Sequence, residues 1–264
     1  MLVRTWNVFH GNASPPERHA FLEDMVRLVV ADRPDLVCLQ ELPIWSLRRL
    51  EDWSGMRAAA DVTERPLLGS AELGRVLTDL NHGLLRSAFT GQANAVLITR
   101  AFAIVEHRHL VLNPRSFRRR EARQLGLGFG ERFAWRQNRR VCQVLRVARD
   151  GMTFVVANLH ASSLADKRIT DAELIRAATF VDGFAHAGES VVLAGDFNVT
   201  VGNSHALTEL AGPALDFAGS TPTGLDHVLA RGFQGAAPIR WPVERRTRGG
   251  RVLSDHAPVE RELT

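Results

Sequence analysis

The chain has 264 residues, 45% of them hydrophobic, 23% charged and 7% aromatic, with 21 glycines and 11 prolines. These proportions exclude a disordered or collagen-like chain and fit one globular domain over 1–264. No apolar run reaches the roughly 18–20 residues that cross a bilayer, and Arg4 and Asn7 interrupt the apolar run Met1–Val8, so a signal peptide is not expected and the cytoplasm is the expected compartment. The formal charge is only +4; with Lys167 the single lysine and no tyrosine, the basic balance rests on arginine.

Leu2–Val8 reads as a β-strand. Ser14 stands three residues before Glu17 in capping-box spacing, with Pro15 and Pro16 in the first turn, and Phe21, Met25, Leu28 and Val29 then recur on one helical face. Pro34 ends that helix. Asp35–Glu41 is a nearly continuous apolar strand, the pattern of burial on both faces. Residues 44–90 look helical and loop-like without clear subdivision. Ala95–Thr99 and Ala103–Leu112 read as strands, and Asn113–Asn138, rich in Arg and Gly, as a long loop.

Val141–Ala148 and Thr153–Leu159 flank Asp150-Gly151, a hairpin cue. Leu174, Ala178, Val181 and Phe184 form a stripe in a helix over 165–187, and Gly188 follows it. Ser190–Ala194, Gly224–Leu229 and Ala257–Leu263 complete the strands. Hairpins mixed with strand–helix–strand units indicate an α/β sandwich and not a doubly wound sheet. Cys38 and Cys142 lie in apolar runs and read as core. The tryptophans also read as core, with Trp135, on the expected loop, the one open to base stacking.

The ends of these strands carry acids, amides and imidazoles: Asn7, Glu41, Asn158, His160, Asp196, Asn198, Asp226, Asp255 and His256. A single one is a turn former. As a set, converging on one rim, they supply hard oxygen donors suited to Mg²⁺ or Mn²⁺ and imidazoles for proton transfer. Asp196 and Asn198, two apart, would point to one side of an extended segment. This is the equipment for metal-assisted attack of water on a phosphate ester.

The ordered segments TWN, LQE, QANAVLITR, NLH, GDFN, LDHV and SDHAP, running from Trp6 to Pro258, resemble the endonuclease/exonuclease/phosphatase superfamily. The resemblance implies two mixed β-sheets packed face to face with helices outside, a four-layer α/β sandwich. It implies Glu41 as principal metal ligand with Asn7 beside it and Asp255 as a further ligand. Asp196 and Asn198 would position the attacking water and a phosphate oxygen. His256, held in its tautomer by Asp226, would act as base or oxyanion stabiliser, and His160 would face it across the scissile phosphate. Asn94 and Asn158 would line the cleft, and Arg139 or Arg140, opening the hairpin strand, would contact substrate. His10 and His227 read as incidental and scaffold. The missing tyrosine counts against abasic-site repair. The arginine-rich segment Arg115–Arg140 favours nucleic acid, cut without base specificity, as the phosphodiester substrate; lipid head groups and small phosphorylated metabolites are the alternative. No obligate protein partner is expected.

Overall fold

Alternation along the strands determines the layers. A computed structural model describes residues 1–66, 76 and 90–264. One sheet runs, in spatial order, β11 (Ile239–Arg240), β14 (Val259–Glu262), β1 (Leu2–Asn7), β3 (Leu36–Leu42), β5 (Gln92–Ile98) and β4 (Arg57–Glu64). The other runs β10 (Asp226–Arg231), β9 (Ser190–Asp196), β8 (Met152–His160), β7 (Val141–Arg149) and β6 (Ala103–Val111). A small sheet joins β12 (Thr247–Arg248), β13 (Arg251–Leu253) and β2 (Ala13–Ser14). The parallel pairs β1–β3 and β8–β9 are bridged by the crossover helices α1 (Leu22–Val29) and α5 (Lys167–Phe184), as parallel pairing requires.

Every second residue faces the space between the sheets. Val3, Leu36, Cys38, Val96 and Ile98 meet Leu145, Val147, Val156, Val192, Ala194 and Val228 there. The intervening residues point outward: Val37, Leu39 and Leu97 pack on Met25 and Val26 of α1 and on Leu50 of α2 (Leu50–Ser54). On the far side Val155, Ala157 and Leu193 pack on Leu174, Ala178 and Val181 of α5 and on Leu210 of α6 (His205–Leu210). Helix, sheet, sheet, helix is the four-layer sandwich, and double-sided burial explains the continuous apolar runs. Both cysteines are buried and free, and burial pushes the Cys38 thiol up to about 12, so these side chains are packing residues.

Three expectations need correction. Ser14 is not a helix cap: it pairs with Val252 in the small sheet, and Glu17 pairs with Arg251 at 2.7 Å, so α1 starts only at Leu22. Asn113–Asn138 is not a loop but two helices, α3 (Arg115–Gln124) and α4 (Phe129–Gln137). Phe117, Ala122, Leu127 and Trp135 close a small core with Ile169, and arginines fill the outer faces, which thins the apolar signal. Residues 57–64 form the edge strand β4, whose three alanines gave little β signal; 67–75 and 77–89 lie outside the described residues. Among the described residues no helix is long and apolar enough to cross a membrane.

Candidate active site

The inter-sheet space changes character toward one end. Beyond the aliphatic residues comes a polar belt in which Gln40 Nε2 donates to Thr5 Oγ1 at 3.0 Å and to Asn158 Oδ1 at 2.8 Å. Asn158 Nδ2 donates in turn to Leu39 O at 3.0 Å and Ala95 O at 2.9 Å. The same alternation then brings Asn7, His160, Asp196 and Asp226 inward at the ends of β1, β8, β9 and β10.

Asp196 is the centre. Asn7 Nδ2 donates to its Oδ2 at 2.9 Å and the Asn198 backbone N–H to its Oδ1 at 3.0 Å. His160 Nε2 lies 3.5 Å from Asp196 Oδ2 on one side and His256 Nε2 lies 3.8 Å from it on the other. His256 Nδ1 is 2.8 Å from Asp226 Oδ2, while Trp6 Nε1 donates to the His256 carbonyl at 3.0 Å and fixes its backbone. Glu41 reaches in from β3, with Oε1 3.7 Å from His160 Nε2 and Oε2 3.4 Å from His10 Nε2. The approach of β8 and β9 depends on Gly195: a Cβ there would stand 2.0 Å from Leu159 O.

Strain collects at this end. His10, Glu41, Asn198 and Ser254 all have left-handed backbone, with φ between 54° and 59°. At Glu41 the cause is visible: the β3–β5 register shifts between Leu39 and Leu42, and this bulge turns Glu41 out of the strand's alternation toward the cleft. Asn198 is therefore not extended as expected; its Nδ2 donates to Ala161 O at 3.0 Å, and its backbone N–H serves Asp196.

The electrostatics separate the two imidazoles. Burial, then Arg140, drive His160 well below its ordinary pKa and keep it neutral. Burial would also lower His256, but its hydrogen bond to Asp226 and the charges of Asp226, Asp196 and Asp255 lift it to about 10. Asp196 rises to about 6 through burial and the nearby Asp226, which rises for the same first reason. A neutral and a charged imidazole on either side of one carboxylate suit opposite ends of a proton transfer.

Asp196, Asp226 and His256 offer ligand atoms all within 4.8 Å of one another, and Asp226 Oδ1 is buried without a hydrogen-bond partner. Two buried carboxylates with an unused oxygen fit a hard dication. Asp255 is exposed and stays outside this cluster, with Ser254 Oγ 3.4 Å from its Oδ1. Asn94 is buried, donating to Val141 O at 3.3 Å, and Asn158 is fully engaged beneath the cleft floor. Arg139 points away: its Nη1 donates to Val62 O at 2.8 Å and Thr63 O at 3.1 Å. The next residue, Arg140, is buried, with Nη1 2.9 Å from His160 Nε2 and 3.0 Å from Nδ1. Both residues lie just before β7, and only the second of them reaches the imidazole. Of the two arginines that the sequence offered, Arg140 is the one at the site, and His10 is the site residue that sequence reasoning set aside, although its spacing from Asn7 was a usable signal. His227 is scaffold as read: Thr221 N–H donates to its Nδ1 and its Nε2 lies 3.0 Å from Val199 O.

A family model described as "Endonuclease/Exonuclease/phosphatase family" matches residues 5–256. The chain belongs to that family. Its members are hydrolases that act on phosphoesters and are generally divalent-metal dependent. Solved structures with the family's fold cover the whole chain. An endonuclease/exonuclease/phosphatase from Bacteroides vulgatus is 14% identical with TM-score 0.69, covered over 98% of its length. The human Nocturnin catalytic domain with bound sulfate is 14% identical with TM-score 0.68, covered over 94%. A Bacteroides thetaiotaomicron mannosyl-6-phosphatase is 15% identical with TM-score 0.65, covered over 99%. At these identities the likeness concerns the fold. No curated protein matches the chain in sequence.

Proposed function

We propose that this chain, acting as one catalytic unit over 1–264, is a Mg²⁺- or Mn²⁺-dependent phosphodiesterase whose substrate is nucleic acid, cut without base specificity. The observation that supports this most is Asp196 flanked by His160 and His256, with Glu41 beside His160 at the same end of the sandwich. Nucleic acid is favoured over lipid head groups or small metabolites by the arginine-rich pair α3–α4, which joins β6 to β7 at that end.

Glu41 would hold the cation with Asn7 beside it, and exposed Asp255 would add negative charge near His256. When bound, the cation polarises a phosphate oxygen and acidifies water. Asp196, with one donor fixed on each oxygen, directs its free lone pairs at the attacking water. His256 keeps Nδ1 on Asp226 and presents Nε2 to the phosphate. His160, backed by Arg140, faces it from the other side.

Hydrolysis of bis-p-nitrophenyl phosphate and of single-stranded DNA should require Mg²⁺ or Mn²⁺, exceed that of p-nitrophenyl phosphate and sphingomyelin, and vanish in folded Glu41→Ala, Asp196→Ala and His256→Ala proteins. Undiminished cutting by Asp196→Ala refutes the assignment; preference for the monoester or for sphingomyelin moves it to the alternative substrates.

A further inference from the structure

The helix pair α3–α4 carries a feature that the reaction centre does not use. Arg115, Arg118, Arg119 and Arg123 of α3 and Arg132 and Arg136 of α4 line one cavity of about 660 Å³, and no carboxylate lines it. Among the described residues none of the six is ion-paired, whereas Arg120 and Arg168 on neighbouring faces pair with Glu121 and Asp166. Arg118 is held below its ordinary pKa first by burial and then by Arg136 and Arg115, with only the buried Glu173 acting against them. Uncompensated guanidinium groups converging on a concavity attract phosphates.

Helix α4 adds a second, independent observation. Phe129, Arg132, Phe133 and Arg136 recur at i, i+3, i+4 and i+7, which is one face of a helix. Phe129 is 87% exposed and Phe133 46% exposed. Their rings stack with centroids 6.5 Å apart and planes 21° apart, and the Arg136 guanidinium lies 5.3 Å from the Phe133 ring. Trp135, the aromatic that the sequence suggested for base stacking, is instead buried and donates to Glu173 Oε1 at 2.6 Å. Two solvent-facing aromatic rings on the rim of an arginine cavity form a platform on which bases stack while phosphates sit below.

We propose that this face of α3–α4 binds single-stranded nucleic acid, with the arginines holding consecutive phosphates and Phe129 and Phe133 stacking on unpaired bases. Bases inside a duplex have no free face to offer, so the site discriminates against double strands. α4 ends at Gln137, three residues before Arg140 in the reaction centre, so a strand held here leads into the cleft. The proposal rests on the nucleic-acid reading above. A charged membrane is the weaker occupant, because the positive charges line a hollow and only two large apolar side chains stand out beside it.

The test is binding in EDTA, where hydrolysis is excluded, of a fluorescein-labelled 12-nucleotide single strand and the matching duplex, read by anisotropy at several salt concentrations. Wild type binds the single strand at least ten-fold tighter than the duplex. Phe129→Ala/Phe133→Ala, at exposed positions, weakens single-strand binding roughly ten-fold per lost stack. Arg119→Ala/Arg123→Ala weakens it and lowers the salt slope by about 1.4. With Mn²⁺ present, the ratio of oligonucleotide to bis-p-nitrophenyl phosphate turnover falls at least ten-fold in both variants. Wild-type-like binding by both variants, or equal affinity for duplex, overturns the proposal. So does loss, in the phenylalanine variant, of binding to phosphatidylcholine vesicles containing phosphatidylserine while oligonucleotide binding stays intact. An absence of turnover on any diester removes the catalytic reading and leaves the EDTA result to decide this one.

Discussion

Replacing Asn158 should unfasten the cleft floor and lower global stability together. The side chain is fully buried between the sheets; its amide donates to Leu39 O and Ala95 O, and its carbonyl accepts from Gln40. These carbonyls flank the β3–β5 register shift, so Asn158 supplies what the bulge removes from the ladder. Asn158→Ala leaves two buried carbonyls and one amide N–H unpaired. At ~1–3 kcal/mol each, with partial relief by entering water, the loss is about 3–6 kcal/mol, a large share of a typical ~5–15 kcal/mol stability. Urea unfolding should show a midpoint lower by ~1–2 M. Asn158→Asp adds a pH signature. A carboxylate facing two carbonyls has its folded pKa raised above the unfolded value near ~3.9, so that variant loses stability as pH rises through and above that value. It should lie closer to wild type at pH 4 than at pH 8. In the folded fraction of either variant, Mn²⁺ binding by calorimetry should also weaken, because the bulge directs Glu41. Midpoints within experimental error of wild type, or an Asp variant whose deficit is the same at both pH values, would refute this account of the bulge.

Glu173→Gln should destabilise the fold by ~1–3 kcal/mol in thermal melting even though it deletes a buried charge, because Trp135 Nε1, Ser162 N and Ser162 Oγ all donate to the carboxylate and a carboxamide has only one acceptor oxygen. Burial raises the Glu173 pKa, so wild type should lose stability as pH climbs above 4.5, and the glutamine variant should lack that part of the decline. Asp226→Asn should bring the His256 titration down from about 10 in metal-free protein, read from its ring protons by NMR; an unmoved titration would show that Asp226 does not hold the imidazolium. Burial lowers the His227 pKa, so the unfolded chain gains a proton that the fold refuses as pH drops below 6.5. The fall in wild-type stability between pH 7 and 5 should therefore be shallower in His227→Gln, and parallel curves would count against the assignment.

Much of the architecture was legible because apolar residues are dense where both strand faces are buried: Leu36–Leu39 and Val191–Ala194 read as strands without ambiguity. The polar residues that end those runs are the ones the structure gathers, since alternation continues from the core into the cleft. Glu41 was legible in kind but not in aim, because the bulge that turns it is a feature of strand pairing and sits against Asn158, over a hundred positions away in the chain. Ser14 misled because local capping chemistry competed with a distant partner, Val252. The choice between Arg139 and Arg140 needed the path of the chain from α4 into β7, which no local pattern encodes. The helices at 115–137 escaped notice because their apolar side is narrow and packs on Ile169 and Leu164 of a later segment.

Trp6 and His256 stand 250 positions apart yet share a hydrogen bond, and β14, which follows His256, zips against β1. Residues 1–7 and the segment through His256 and β14 must therefore all be synthesised before the cleft can exist. No shorter, half-built intermediate possesses a working centre, so loss of catalysis on heating or in urea should coincide with loss of the whole fold, and turnover becomes a direct gauge of structural integrity.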